Sequence, residues 1–379
     1  AENGGSLGTL RRCLRLAGAA GLLAAAATVV LAPLLAERAI GRGLAGRPLR
    51  ILACGLPFMA CCACFKGWFM AEGRAGVTVA ADLLEQAVSV GAGLGLFAVL
   101  PPVESLMAGS TLGEVSSFTF AGLLLLRSAR GRKTGRTAAM RGILRIAAPV
   151  VSGSFLRSGL NSVENLLAPQ GLRRYGVSYA ESLSQYGRVQ GAAMPVLLFP
   201  AAVVSSLGSM LVPELAAAAA RGDKAAIRRS AGRAIRFTLA FSFFITALLV
   251  AFAVPLCRLL FHSEEAGRLL RVMAPVVPLM YVDSVVDSML KGLDQQMFAF
   301  RCNLADSLLR VAAVAVCVPL WGMAGYVGIL FFSELFNASL SVYRLLRVTE
   351  LEVDVTGWVV LPALAAGLLY ALLRLAVGE

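Results

Sequence analysis

Apolar residues run along this chain in stretches of about twenty, broken by short polar segments rich in arginine. A helix needs about 20 apolar residues to cross a bilayer core of roughly 30 Å. Windows of about 19 residues predict eleven such helices, at approximately 16–36, 49–70, 77–100, 104–126, 143–168, 187–212, 236–261, 271–290, 297–320, 322–345 and 355–376. Pro57, Pro195 and Pro200 fall inside these spans; neighbouring helices can satisfy the carbonyls that a proline frees in a membrane. Gly91, Gly93 and Gly95 in the third span admit close approach of another helix.

Composition excludes a soluble reading. Of 379 residues, 58% are apolar and 15% charged, with a mean hydropathy of +0.77; ordinary globular domains have about 45–50% and about 25%. The net charge of +13 would suggest nucleic acid in a soluble chain. In a membrane chain it points to basic loops beside anionic lipid, with no nucleic-acid partner. With the N-terminus inside, 22 of the 35 Lys and Arg fall in cytoplasmic segments and 12 outside, Arg310 lying in a span. The Arg127–Arg145 segment, with seven, is the firmest anchor.

Chemistry-bearing motifs are few. Seven of the eight cysteines sit in or near apolar spans and read as small hydrophobes; Cys61-Cys62-Ala63-Cys64 lacks a second ligand pair for a metal. A single histidine, His262, rules out two-histidine zinc motifs. Gly41-Arg42-Gly43-Leu44-Ala45-Gly46 matches the dinucleotide fingerprint by letter but follows a membrane span. With no phosphate-binding P-loop and no catalytic dyad, neither an enzyme nor a cofactor is expected.

The chain also repeats itself. Arg47-Pro48-Leu49-Arg50-Ile51-Leu52-Ala53, followed by Pro57 and Met59, matches Arg268-Leu269-Leu270-Arg271-Val272-Met273-Ala274, followed by Pro278 and Met280, at an offset of 221. Pro33-Leu34 and Pro255-Leu256 align at 222; Lys66-Gly67 with Lys291-Gly292, and Asp82 with Asp306, align at 225 and 224. Spans one to three thus pair with seven to nine, six spans apart and therefore the same way up, a parallel repeat. Two spans precede the second copy in its bundle and none the first. Together with the missing initiator methionine, this leads us to expect two further helices ahead of Ala1. The expected units are 1–130, an incomplete first lobe; 131–348, a six-helix second lobe; and 349–379, a trailing helix.

Ionisable groups at membrane depth are costly, so they mark candidate sites. Ser154, Arg157, Asn161 and Glu164 form one stripe on the fifth span, either lining a cavity or locked as an Arg157–Glu164 pair. Asn303, Asp306 and Arg310 share a face of the ninth, with Asp306 and Arg310 spaced for an intrahelical ion pair. Asp82, Glu85 and Gln86 lie near the cytoplasmic end of the third. Asp283 and Asp287, near an interface and open to hydration, Glu114, and Glu334 with Asn337 complete the set.

Three segments carry a family resemblance: Leu56-Pro57-Phe58 through Lys66-Gly67-Trp68-Phe69 to Leu84-Glu85-Gln86; Glu164-Asn165-Leu166-Leu167-Ala168-Pro169 through Tyr186-Gly187 to Pro195-Val196-Leu197-Leu198-Phe199-Pro200; and Leu211-Val212-Pro213-Glu214-Leu215. With Lys291-Gly292-Leu293-Asp294-Gln295-Gln296, the chain resembles the polysaccharide-transporter branch of the multidrug/oligosaccharidyl-lipid/polysaccharide (MOP) exporter superfamily, of the stage V sporulation protein B type. The resemblance implies an all-α, MATE-like fold of two bundles around a central cavity, in the bacterial cytoplasmic membrane. It implies flipping or export of a lipid-linked oligosaccharide or peptidoglycan precursor by alternating access, with a coupling ion. On that template Arg157 meets the phosphates, Asn161 the phosphate or sugar, Glu164 holds Arg157 between cycles, and Arg310 is a reserve cation tethered by Asp306. A cation-coupled multidrug antiporter and a non-transporting envelope scaffold are the alternatives.

Overall fold

The computed structural model describes residues 7–35, 46–72, 74–129 and 140–377, and these are helical throughout, with short turns. The dinucleotide-like segment from Gly41 to Ala45 and most of the basic segment Arg127–Arg145 lie outside the described residues. Contacts divide the chain into two compact units, Ala1–Val151 and Ser152–Glu379, with the boundary inside one long helix.

The first unit contains α1 (Leu7–Leu35), α2 (Gly46–Ala71), α3 (Ala75–Leu96) and α4 (Pro102–Ala129), and α5 (Met140–Arg174) begins in it. Small residues set its packing. A Cβ at Gly21 of α1 would lie 2.8 Å from Pro57 Cα of α2, and one at Gly109 of α4 would lie 2.7 Å from Gly93 Cα of α3. Of the three glycines predicted to admit a neighbour, Gly93 does so, while Gly91 and Gly95 face open space. Cys62, Phe65, Trp68 and Phe69 of α2 pack with Ala121 and Leu125 of α4 as a small core. Cys62, predicted to be a small hydrophobe, is 1% exposed there.

The second unit continues with α6 (Tyr179–Arg188), a π-helical turn, α7 (Met194–Leu198) and α8 (Ala201–Ala220). The predicted single span 187–212 is therefore broken. Pro200 carries no amide proton and ends α7, and the Leu197 carbonyl accepts from the Tyr281 hydroxyl at 2.8 Å. Next come α9 (Lys224–Phe261), capped by the Asp223 side chain on Ala226 N, and α10 (Glu264–Met273), capped by Ser263 on Ala266 N. His262 is the left-handed residue that closes α9 (φ 51°). A 3₁₀ turn containing Pro275 separates α10 from α11 (Val277–Gly292). α12 (Gln296–Thr349) is two limbs, 296–321 and 323–349, reversed at Gly322 (φ 59°, ψ −139°). A Cβ there would fall 2.8 Å from the Tyr175 ring, so the reversal requires glycine. After a second π-helical turn, α13 (Leu361–Val377) ends the described chain. Among the described residues nine helices are long and apolar enough to span a membrane. The eleven predicted spans differ from these chiefly because α12 holds two and α5 is diluted by its polar stripe.

The repeat is more regular than the residue matches suggested. α2 ends at Ala71 and α11 at Gly292; α3 starts at Ala75 and α12 at Gln296; α4 starts at Pro102 and the second limb just after Gly322. All three agree with the offset of 221, and the repeat covers four helices rather than three. The Lys66/Lys291 and Asp82/Asp306 alignments at 225 and 224 are corrected accordingly: position 66 corresponds to Asp287, 82 to Asn303 and 85 to Asp306. Contacts follow the same register to within one residue. Lys66 meets Asp82 as Asp287 meets Asn303; Asp283 matches Cys62, but Cys62 meets Ser117 whereas Asp283 meets Asn337, one residue before the match of Ser117.

Candidate functional site

Three helical segments of the second unit put polar side chains into one interior cluster. The limbs of α12 form a hairpin at Gly322, so residues of the first limb meet residues of the second across it. Ser333 Oγ donates to Asp306 Oδ1 at 2.6 Å, and Asn337 Nδ2 lies 3.4 Å from Asn303 Oδ1. α11 adds two carboxylates. Asn337 Nδ2 donates to Asp283 Oδ2 at 2.9 Å, and Asn303 Nδ2 to Asp287 Oδ2 at 3.2 Å. The sequence reading left these aspartates hydrated near an interface. Instead they are half-buried, and one oxygen of each, Oδ1, is closed to solvent and has no partner. Asn337 Oδ1 and Ser341 Oγ are likewise buried and unpartnered. Asp283 Oδ1, Asp287 Oδ1 and Asn337 Oδ1 are acceptors with only the Ser341 hydroxyl, beside Asp283, as a nearby donor; such a cluster is costly as it stands and suited to a proton or a small cation.

The ion pairing also differs from the expectations. Arg310 Nε lies 2.8 Å from Glu164 Oε2, close but not aligned as a hydrogen bond. Arg157 and Glu164 are seven residues apart on one helix, an axial rise of about 10 Å, and form no lock. Asp306 does not hold Arg310 either; its carboxylate is taken up by Ser333. Glu164 is only 4% exposed, so its pairing with Arg310 keeps a buried carboxylate compensated.

This leaves Arg157 without an ion pair among the described residues. It lines a cavity of about 180 Å³ together with Asp287, Lys291, Asn303 and Phe300. Two cations and an amide over one carboxylate can take an anionic oxygen group. Of the predicted residues, Arg157 and Asn303 meet in this cavity, and Glu164, Arg310 and Asp306 lie in the adjoining polar interior. Ser154 and Asn161 are exposed and make no hydrogen bond among the described residues. Asp82 and Glu85 belong to the first unit, where Lys66 Nζ pairs with them at 2.5 and 3.1 Å. Lys291, Ser333 and Ser341 were missed. The signal for the serines was present, since Ser333, Asn337 and Ser341 recur every four residues on one face of the second limb. Outside the spans, Lys224 and Arg228 flank Glu350 at 3.0 and 2.6 Å, and hydrogen bonding and charge from both hold its carboxyl below the usual range.

Many apolar spans, a helical repeat at a constant offset and a polar interior in one unit define a multi-pass membrane protein with the fold of the MOP-superfamily transporters. The structure matches a MATE-family multidrug transporter of that superfamily in an inward-facing conformation, with TM-score 0.70, 14% identity, and coverage of 95% of this chain and 80% of that one. It also matches the lipid II flippase MurJ in an inward closed conformation, with TM-score 0.67, 12% identity, and coverage of 96% and 83%. The sequence model of the family described as "Polysaccharide biosynthesis protein" matches residues 9–264, and the chain belongs to that family. Among curated proteins it is 23% identical over 311 residues to stage V sporulation protein B of Bacillus subtilis, covering 78% of this chain and 60% of that protein. It is 27% identical over 133 residues to the Bacillus subtilis sporulation protein YkvU, covering 35% and 30%. The chain thus spans less than two thirds of the length of either relative. It is a multi-pass protein of the bacterial plasma membrane.

Proposed function

We propose that this chain acts as a transporter that flips or exports a lipid-linked oligosaccharide or peptidoglycan precursor by alternating access. The observation that carries the reading is the cavity in which Arg157 and Lys291 stand with Asn303 and Asp287. A lipid-linked sugar has an anionic phosphate or pyrophosphate that must cross about 30 Å of hydrocarbon, while its prenyl tail can stay in lipid. Its head needs hydrated space with cationic donors, and the planar guanidinium of Arg157 suits phosphate oxygens. Asn303 adds an amide. Arg310, held by Glu164, contributes positive potential rather than a free contact. Asn161, one turn beyond Arg157 on α5, is placed to meet sugar. Family membership supports the substrate class, as does the likeness to a lipid II flippase.

The unpartnered oxygens of Asp283, Asp287, Asn337 and Ser341 support coupling to a proton or small cation. That same observation favours a second reading, a cation-coupled antiporter of multidrug type. The two readings differ in what Arg157 does: an anionic substrate requires it, and a cationic drug does not. In full-length protein, Arg157→Ala should abolish complementation of a flippase-deficient strain at unchanged membrane abundance, with Arg157→Lys restoring part of it. Full complementation by Arg157→Ala would reduce the residue to surface and return the antiporter to first place.

A further inference from the structure

We infer that the second unit carries a binding site for an anionic phospholipid between α9 and α13, apart from the polar interior. The wall supplied by α9 is a single face, because Arg229, Arg233, Arg236, Ala240 and Phe244 follow one another at spacings of four, three, four and four. Its first part lines a cavity of about 630 Å³ that includes Arg229, Arg233, Arg236 and Trp358. Its second part lines a cavity of about 550 Å³ that includes Arg236, Ala240 and Phe244, closed on the other side by Leu361, Ala365 and Leu369 of α13. The two share Arg236, so a basic mouth continues into an apolar trough.

The charge at this mouth is unanswered. Arg228, on the neighbouring face, is consumed by Glu350. Arg229, Arg233 and Arg236 have no carboxylate within ion-pair distance among the described residues, and all three are exposed. Arg233 Nε donates only to the Arg229 carbonyl, at 3.4 Å. Glu214, the one acid in the mouth, is engaged by the Ser230 hydroxyl. The indole N–H of Trp358 is a donor without an acceptor among the described residues.

Dimensions and position select a lipid over a free anion. From Arg236 to Phe244 is an axial rise of about 12 Å, close to the depth of one leaflet, about 15 Å. The arginine end is the one that the charge tally assigns to the cytoplasmic side, where anionic headgroups concentrate. Small residues, Gly357 of the π-helical turn and Ala365 of α13 among them, leave room for an acyl chain against Phe244. The site therefore takes a phosphate-bearing headgroup on three arginines and one acyl chain in the trough, and it ties the trailing helix to α9.

The test uses the full chain purified in neutral detergent, with native mass spectrometry and thermal denaturation as readouts. Phosphatidylglycerol should remain bound and raise the melting temperature, while phosphatidylcholine and inorganic phosphate should do neither. Arg229→Gln/Arg233→Gln/Arg236→Gln should weaken phosphatidylglycerol binding roughly a hundredfold, each of the three surface cations being worth about fivefold. The triple Arg→Lys variant should keep most of the binding. Ala365→Trp, which fills the trough and leaves the arginines in place, should also lower retention. Equal binding of phosphatidylcholine, an equal effect of phosphate alone, or undiminished binding in both the glutamine and the tryptophan variants would overturn the proposal.

Discussion

Two sets of corresponding contacts, one in each unit, show how one helical scaffold carries different chemistry. In the first unit α2 meets α4 through Cys62 and Ser117 at 3.4 Å, and α2 meets α3 through Lys66 with Asp82 and Glu85. In the second unit Asp287 meets Asn303 at the matching positions, and Asp283, which matches Cys62, meets Asn337, one residue before the match of Ser117. The partners stay in register to within one residue while their chemistry changes. A lysine satisfied by two acids becomes an aspartate bonded to an amide, and a thiol–hydroxyl contact becomes a carboxylate–amide bond. The first set is closed on itself. The second leaves buried oxygens open on Asp283, Asp287, Asn337 and Ser341, and Arg157 and Lys291 stand beside it. Helix packing explains the first set; the second carries an electrostatic cost that packing alone does not require.

Substitutions can break this comparison, and their expected effects fall in order. Arg310→Ala should be the most damaging, destabilising the second unit by about 3–5 kcal/mol, because it strands the buried Glu164 carboxylate. Denaturation of purified variants checks it, and Arg310→Ala with Glu164→Gln should recover much of the loss. Asn337→Ala comes next, at about 1–3 kcal/mol, since it removes the amide donor to the Asp283 carboxyl in the interior. In the first copy, Ser117→Ala, which removes the partner of Cys62, should cost about 1 kcal/mol or less, as a weak thiol–hydroxyl contact is lost. Equal losses at positions 117 and 337 would remove the chemical distinction between the copies. Lys66→Met with Glu85→Gln should cost roughly 1 kcal/mol or less, because Asp82, at 56% side-chain exposure, returns to water and the less exposed Glu85 side chain no longer carries a charge.

The smallest effect concerns pH at the basic end of α9. Glu350 is an acid whose carboxyl is lowered by Lys224 and Arg228. The stability it adds is present above its ordinary pKa of about 4.3 and is lost as pH falls through the lower folded value. Glu350→Gln should flatten that part of the stability–pH curve and leave neutral-pH melting almost unchanged, since the site is solvent-exposed.

Much of the fold was legible because span length and apolar runs are imposed directly by the bilayer. The offset of 221 was visible in Arg47–Met59 and Arg268–Met280. It slipped at Lys66-Gly67 and Lys291-Gly292 because two identical letters outweighed register there, and only helix ends and contacts show that Lys66 answers to Asp287. The break at Pro200 was hidden, as the predicted span 187–212 runs across it, whereas the reversal at Gly322 falls at the boundary predicted between 297–320 and 322–345. The candidate site was half legible. Spacing along one helix identified Arg157, Glu164, Asp306 and Arg310 as polar residues at depth, but their partners lie on other helices. Glu164 is bound to Arg310 across helices, and Ser333 reaches Asp306 only because the hairpin brings residue 333 beside residue 306.

The central claim is that the second copy carries the transport chemistry and the first copy's ionic contacts are structural. The most direct measurement is flipping of a fluorescent prenyl-pyrophosphoryl sugar in proteoliposomes that contain full-length protein with one copy neutralised at a time. Asp283→Asn with Asp287→Asn should abolish flipping at normal protein content, and Lys66→Met with Asp82→Asn and Glu85→Gln should leave most of it. Loss of flipping from the first-copy variant, or its survival in the second-copy variant, would contradict the account.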